Sequence, residues 1–308
     1  MHTNSNFRIM KRFINVIIIA LLLVSCENLQ TIVDVDLPTY EPKLVVNSIN
    51  KVGKKWTAYV SVSQAPLSNS EFDFLSDAIV LLIDNENIID TLTYNNSKNR
   101  YESSLVVQQG TNFEMRISHP MYNTLNASLY PFEKVIIKSV DDLQNLSSET
   151  ISLNFTIDDP QSSNFYMIGL KAFFNNDSVT MDLNYLEREK ERIYFDSDNP
   201  SINQGQEIGG KVLFDDRLFN GSSKEFNLTF DSFYEIESDS ILLNLWSVDY
   251  AFYNYFTTKI IQSNNGDNPI FNSEPVNVYN SFIDDEGKIN GYGIYAVSDK
   301  DSVIINTK

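Results

Sequence analysis

Beyond residue 36 the order of apolar and polar positions is that of strands. Residues 43–49 make a short β-branched run closed by Val52-Gly53. Residues 56–62 alternate with period two, which puts Trp56, Ala58, Val60 and Val62 on one face. Residues 78–83 are apolar throughout, the pattern of a central strand covered on both sides, and residues 88–94 can return beside it across Asp84-Asn85-Glu86-Asn87. Residues 101–107, 113–118 and 124–129 supply further strands, separated by Gln108-Gln109-Gly110 and by His119-Pro120. Helical periodicity is absent here, and strands recurring at intervals of about ten residues predict a β-sandwich over residues 37–131.

A second all-β pattern opens at Phe132 and runs through residues 132–140, 151–157 and 165–174, with Asp158-Asp159-Pro160 and Asn175-Asn176-Asp177 as turns. Periodicity fades over residues 186–210, apart from one helical turn around 186–193, so that stretch is expected to be an exposed insertion. Phe214-Asp215-Asp216 and Phe219-Asn220-Gly221 turn the chain before strands at 225–230 and 240–247. One convincing helix follows, with Val248, Phe252, Tyr255, Phe256 and Ile260 recurring at spacings of three and four. Ser247 or Asp249 can cap its start, and Asn264-Asn265-Gly266 ends it. Its aromatic stripe is expected to pack on a sheet. The chain closes with residues 289–297 and a last strand at 302–305. The expected fold is all-β, with two β-sandwich domains of immunoglobulin-like or transthyretin-like type at 37–131 and 132–308. The second carries the insertion and one C-terminal amphipathic helix.

A different pattern lies at the N-terminus. Lys11 and Arg12 precede an uncharged apolar run from Val16 to Val24. That run falls short of the roughly 20 apolar residues a permanent spanning helix needs, and its layout is that of a secretory signal. Leu23-Val24-Ser25-Cys26 resembles the bacterial lipobox, which implies cleavage before Cys26 and attachment of a diacylglyceryl group and an amide-linked acyl chain, such as palmitate, to that residue. Several chains on one cysteine meet the requirement of about two anchoring signals for stable membrane attachment. Residues 1–25 are therefore expected to be a lipoprotein signal peptide, with Met10 as the expected true start, and residues 26–36 a tether. Cys26, the only cysteine of the chain, is the lipidation site in this reading.

Charge and residue inventory narrow the chemistry. The 308 residues carry 41 acids against 23 lysines and arginines, a net charge of −18, and loss of residues 1–25 removes Arg8, Lys11 and Arg12 but no acid. Such a surface excludes nucleic acid, which is bound by cations that neutralise phosphate. With Cys26 given to lipid, neither a disulfide nor thiol chemistry is expected. His119 is the one imidazole beyond the signal, too little for a serine or cysteine hydrolase or for a zinc site, and it is expected at a strand end or turn. Asp196-Ser197-Asp198-Asn199 and Asp284-Asp285-Glu286-Gly287 offer oxygen ligands to calcium but lack the twelve-residue loop pattern, so no metal or cofactor is expected. Among 41 acids some close carboxylate pair is inevitable and carries no signal for glycoside hydrolysis.

Several segments, in their order after the lipobox, resemble one family. They are Val33-Asp34-Val35-Asp36-Leu37-Pro38 with Pro42-Lys43-Leu44-Val45-Val46, then Gly110-x-x-Phe113-x-Met115, then Phe214-Asp215-Asp216, and last Val276-x-x-Tyr279-Asn280-Ser281 before Gly291-x-Gly293-Ile294-Tyr295. The chain is similar here to the Bacteroidota lipoproteins catalogued as domain of unknown function 4249. That resemblance implies an outer-membrane lipoprotein, often encoded beside a TonB-dependent transporter, and no established activity. The C-terminal loop differs from the family's usual double glycine, since Tyr292 separates Gly291 from Gly293. The expectation is a non-enzymatic binding or accessory module, anchored through Cys26 at the outer membrane and facing the cell surface more than the periplasm. In this reading it aids nutrient capture with a TonB-dependent transporter. The alternative is a structural or adhesive envelope lipoprotein without a small ligand. No ligand-binding residues are assigned, and loops within residues 175–210 and 279–295 are the first places to look.

Overall fold

The structure, a computed structural model, describes residues 40–65, 68, 73–173, 192–234, 238–267 and 276–307. The expected signal, Cys26, the tether and residues 186–191 lie outside the described residues. The compact unit from Pro42 to Lys308 is described below.

In chain order the strands of its first half are β1 (Leu44–Lys51), β2 (Lys55–Val62), β3 (Ile79–Asp84), β4 (Asn87–Thr91), β5 (Thr93–Asn95), β6 (Arg100–Val106), β7 (Glu114–His119) and β8 (Tyr122–Ser128). Then come β9 (Ile137–Val140), β10 (Gln144–Asn145), β11 (Thr150–Asp158), β12 (Phe165–Phe173), β13 (Arg192–Ile193), helix α1 (Pro200–Asn203), β14 (Gln206–Glu207) and β15 (Lys211–Asp215). The chain ends with β16 (Ser223–Asp231), β17 (Ser240–Val248), helix α2 (Tyr250–Asp267) and β18 (Tyr292–Asn306).

The mostly β expectation holds, and the strands form one long sheet and two short ones. The long sheet runs β14-β15-β12-β17-β18-β1-β2-β6-β5, with β13 also on β12, and so passes through both halves of the chain. The short sheets are β4-β3-β7-β8 from the first half and β10-β11-β16 with β9 from the second. Alternation does the assembly. Trp56, Ala58 and Val60 of β2 face Val80 and Leu82 of β3 and Met115 and Ile117 of β7 in one buried cluster. Ile151, Leu153 and Phe155 of β11 meet Ile168, Leu170, Leu243 and Leu245 in a second. Leu129 and Phe132 pack with the first cluster and Val135 with the second, and the last strand gives Tyr295 and Val297 to the first and Val303 and Ile305 to the second.

That last strand departs from the sequence reading. Residues 289–297 and 302–305 are expected as separate pieces, and Asp299-Lys300-Asp301 falls between them. Instead β18 is continuous over 15 residues, pairing parallel to β1 through Ser298 and antiparallel to β17 from Ser298 onward. The charges are divided between the two faces. Asp301 accepts from the Ile137 amide (2.8 Å) and Asp299 meets Lys134 (3.3 Å) on one side, while Lys300 bonds Asn244 (3.2 Å) on the other. The two acids thereby fasten the extended link of residues 131–136, which forms no strand before Ile137, although the pattern from 132 predicts one.

Two other expectations need correction. Strand β3 is central in its sheet but only partly covered on its second side, where Ile79 is 54% exposed, Leu81 half-buried and Ile83 buried. Residues 192–210 are not an exposed insertion. Ile193 and Ile202 are buried in the second cluster, and Asn199 caps α1 by accepting from the Ser201 amide. Two apolar residues spaced without periodicity are enough to hold such a segment down once a sheet edge receives them. Helix α2 forms where expected, but it runs through Asn264-Asn265-Gly266 to Asp267 instead of ending there. Val248, the first of its predicted stripe, belongs to β17, while Phe252, Tyr255 and Phe256 pack with Met167, Ile294 and Ala296 on the face of the long sheet opposite the two clusters. Asp249 caps it, accepting from the Phe252 amide at 2.8 Å.

Candidate functional site

Among the described residues two neighbouring clefts meet at Gly205, where α1, β14, β15 and α2 converge. The larger encloses about 300 Å³ and is lined by Ser201, Gln204, Phe214, Asp215, Arg217 and Tyr253, among others. Strand β15 delivers Asp215 at its C-terminal end, and the first turn of α2 delivers Tyr253 opposite it. The Tyr253 hydroxyl donates to Asp215 Oδ2 at 2.9 Å, and Arg217 Nε donates to the same carboxylate at 2.9 Å. Burial works against ionising Asp215, but the bonds from Arg217 and Tyr253 outweigh it and hold its pKa below the usual range. Burial and the same carboxylate push the Tyr253 phenol up to about 12, so it is a fixed donor at neutral pH. Its ring stacks on Phe165, with centroids 4.5 Å apart, which fixes its place beside the cleft.

Unspent hydrogen-bonding capacity distinguishes this place. Ser201 is buried, and its hydroxyl has no partner among the described residues. The terminal guanidinium nitrogens of Arg217 project into solvent on a side chain 78% exposed. Just beneath, Asp216 is wholly buried. Its Oδ2 accepts from the Asn164 amide at 2.6 Å while its Oδ1 has no partner among the described residues, and burial, with the charges of Asp159 and Asp215 adding, raises its pKa. A buried polar atom left unpaired costs roughly 1–3 kcal/mol, so such groups are retained where something else meets them.

The smaller cleft, about 210 Å³, is lined by Tyr194, Asp196, Asn203, Glu207 and Val212, among others. Tyr194 is 59% exposed. The backbone of Asp196 bridges to Thr229 in both directions at 2.8 Å, which turns its carboxylate outward. Gly205 sits between the clefts, and a Cβ there would come within 2.5 Å of Val212 and 2.8 Å of the Leu213 carbonyl, so the ridge is held to glycine and carries no side chain.

The clefts fall partly in the 175–210 region favoured from sequence. Nothing in the sequence marks Asp215, Arg217 and Tyr253 as ligand contacts, and Phe214-Asp215-Asp216 enters only through the resemblance. The other sequence-marked residues have structural work. His119 ends β7, accepting from the Met121 amide at Nδ1 and meeting Asp77 at Nε2, both at 3.2 Å. Asp284 accepts from the amides of Glu286 and Lys288 at 2.9 and 2.8 Å, and Asp285 pairs with Arg116 at 2.9 Å, so this acidic run closes a loop. Among the described residues no three His, Cys, Asp or Glu side chains gather as metal ligands would. Within 279–295, the Asn280 amide bonds the carbonyls of Phe282 (2.7 Å) and Gly291 (3.2 Å), and the Tyr279 amide bonds Thr258 of α2 at 2.8 Å. The segment laces the helix to the start of β18.

Of the motifs that carried the family resemblance, those among the described residues sit at joints of the fold, while residues 33–38 lie outside them. Phe113 packs against Trp56 at 5.8 Å, Met115 is core, and Gly293 lies in the β1–β18 pairing. The molecule is of a class defined by a long sheet backed by two short ones, with a pair of polar clefts at one end. The chain belongs to the family described as Domain of unknown function (DUF4249), whose model matches residues 30–303. No curated protein matches the chain.

Proposed function

We propose that this protein is a lipid-anchored binding module of the outer membrane, held through Cys26, that captures a small polar nutrient in the clefts around Gly205 and works with a TonB-dependent transporter. In this reading each half of the chain is a sandwich, and the two share the long sheet. The observation that carries the binding role is the larger cleft. It combines a phenol on α2, a carboxylate at the end of β15 and a guanidinium fork in the turn that follows, with Phe214 beneath. Groups placed in advance on rigid elements lose little entropy on meeting a ligand, which is what a capture site requires. Asp215 and Arg217 neutralise each other, so an uncharged polar ligand meets no net charge there. The cell-surface orientation is proposed together with this role, since a capture module must meet its ligand before the transporter does.

The anchor and the partnership have their own test. Cells expressing the wild-type chain are labelled with radioactive palmitate and fractionated beside a Cys26→Ala variant. The expected result is label in the wild-type protein only and loss of the variant from the membrane fraction. An unlabelled wild-type chain, or a variant that stays with the membrane, refutes lipid anchoring. Affinity purification from solubilised membranes is expected to recover a TonB-dependent transporter, and its consistent absence refutes the partnership.

A further inference from the structure

We infer that the two clefts are consecutive subsites for one linear, neutral oligosaccharide, with a sugar ring on each side of Gly205. This rests on the binding reading above and names its ligand class. The first support is repetition. Each cleft offers a tyrosine, a carboxylate and a side-chain amide: Tyr253, Asp215 and Gln204 in the larger, Tyr194, Asp196 and Asn203 in the smaller. A site that repeats its chemistry fits a ligand that repeats its unit.

The hydrogen-bond inventory identifies that unit. Asp196 and Glu207 present side-chain oxygens without partners among the described residues, so the smaller cleft accepts. Arg217 presents donors, so the larger also gives. A hydroxyl both donates and accepts, whereas a carboxylate only accepts and an ammonium only donates. Charge points the same way, because the larger cleft is neutralised by its Asp215–Arg217 pair and the smaller is acidic, which disfavours uronates, sulfates and phosphates. The ring of Tyr253, which lines the larger cleft, and the exposed ring of Tyr194 suit the apolar C–H face of a pyranose. Gly205 lines both clefts, so the two adjoin there and one chain can contact both.

The test is titration calorimetry on the full chain with cello-, manno- and xylo-oligosaccharides from monomer to hexamer, an oligogalacturonate series and a set of tetrapeptides. The expected result is binding of a neutral series whose affinity rises roughly tenfold from monomer to dimer or trimer and then levels off. Tyr194→Ala and Tyr253→Ala are each expected to lower trimer affinity by roughly tenfold. Thermal melts check folding of each variant, and Tyr253→Phe, which keeps the ring and loses one bond, replaces Tyr253→Ala if that variant is unfolded. Absence of binding by every neutral series, an affinity independent of length, or preference for the oligogalacturonates or the tetrapeptides overturns the inference. No membrane enters this measurement, so its failure is separate from that of the anchor and the transporter partnership, which fractionation and affinity purification decide.

Discussion

Two residues show how closely this molecule is determined at single positions. Gly293 has φ +133°, and a Cβ built there would sit 1.8 Å from the Val46 carbonyl oxygen, inside the parallel pairing of β1 with β18. Backbone cannot yield as a side-chain tip can, so Gly293→Ala is expected to cost at least about 3 kcal/mol in urea denaturation or to abolish folding. Gly291→Ala meets only the side-chain carbons of Leu125 and is expected to cost less. Asp249 is the second such residue. It is wholly buried, accepts from Phe252 in α2 and Val297 in β18, and burial raises its pKa from 3.8 to about 7 against those two bonds. Between those values the unfolded chain has released a proton that the fold retains, so this group's contribution to stability declines as pH rises from about 4 to about 7 and then levels off. Asp249→Asn removes the ionisation. The stability of the Asp249→Asn variant relative to wild type is therefore expected to improve between about pH 4.5 and about pH 7.5, and a difference that stays constant across that range would refute the assignment.

At the scale of elements, β18 shows what is and is not legible in a sequence. Its charged triplet falls between two expected pieces, since pattern alone cannot reveal that each charge has a partner on its own face of the sheet. Asp301→Ala leaves the Ile137 amide without its acceptor and is expected to cost about 1–3 kcal/mol, measured by chemical denaturation. A near-neutral result would mean that water replaces the carboxylate at that amide. By contrast α2 is readable, cap included, because its stripe and Asp249 are local signals. So are most strands of the first half, where β2 buries Trp56, Ala58 and Val60 as alternation demands. The clefts are legible only as a region. Asp215, Arg217 and Tyr253 lie up to 38 positions apart, and nothing local announces that β15 and α2 will meet. The segment bearing α1 reads wrongly as an exposed insertion because its two buried isoleucines follow no period.

At the scale of the whole molecule, the long sheet makes one body of two halves. Both buried clusters draw on β18, and the hydrogen-bonded path from β14 to β5 is unbroken. Differential scanning calorimetry is accordingly expected to give a single cooperative transition, with calorimetric and van't Hoff enthalpies equal. Two resolved transitions would show that the halves melt independently.

The position of β18 also imposes an order in time. Because residues 292–298 lie against the first strand, the cluster built on Trp56 lacks Tyr295 and Val297 until synthesis has passed residue 297. A ribosome-bound chain that has not reached that point is thus denied its native seam. A version ending at Asn290 should remain open to protease along residues 44–129, however good the local strand signals there. Late closure of this kind leaves the first cluster unsealed until a strand about 240 positions downstream arrives.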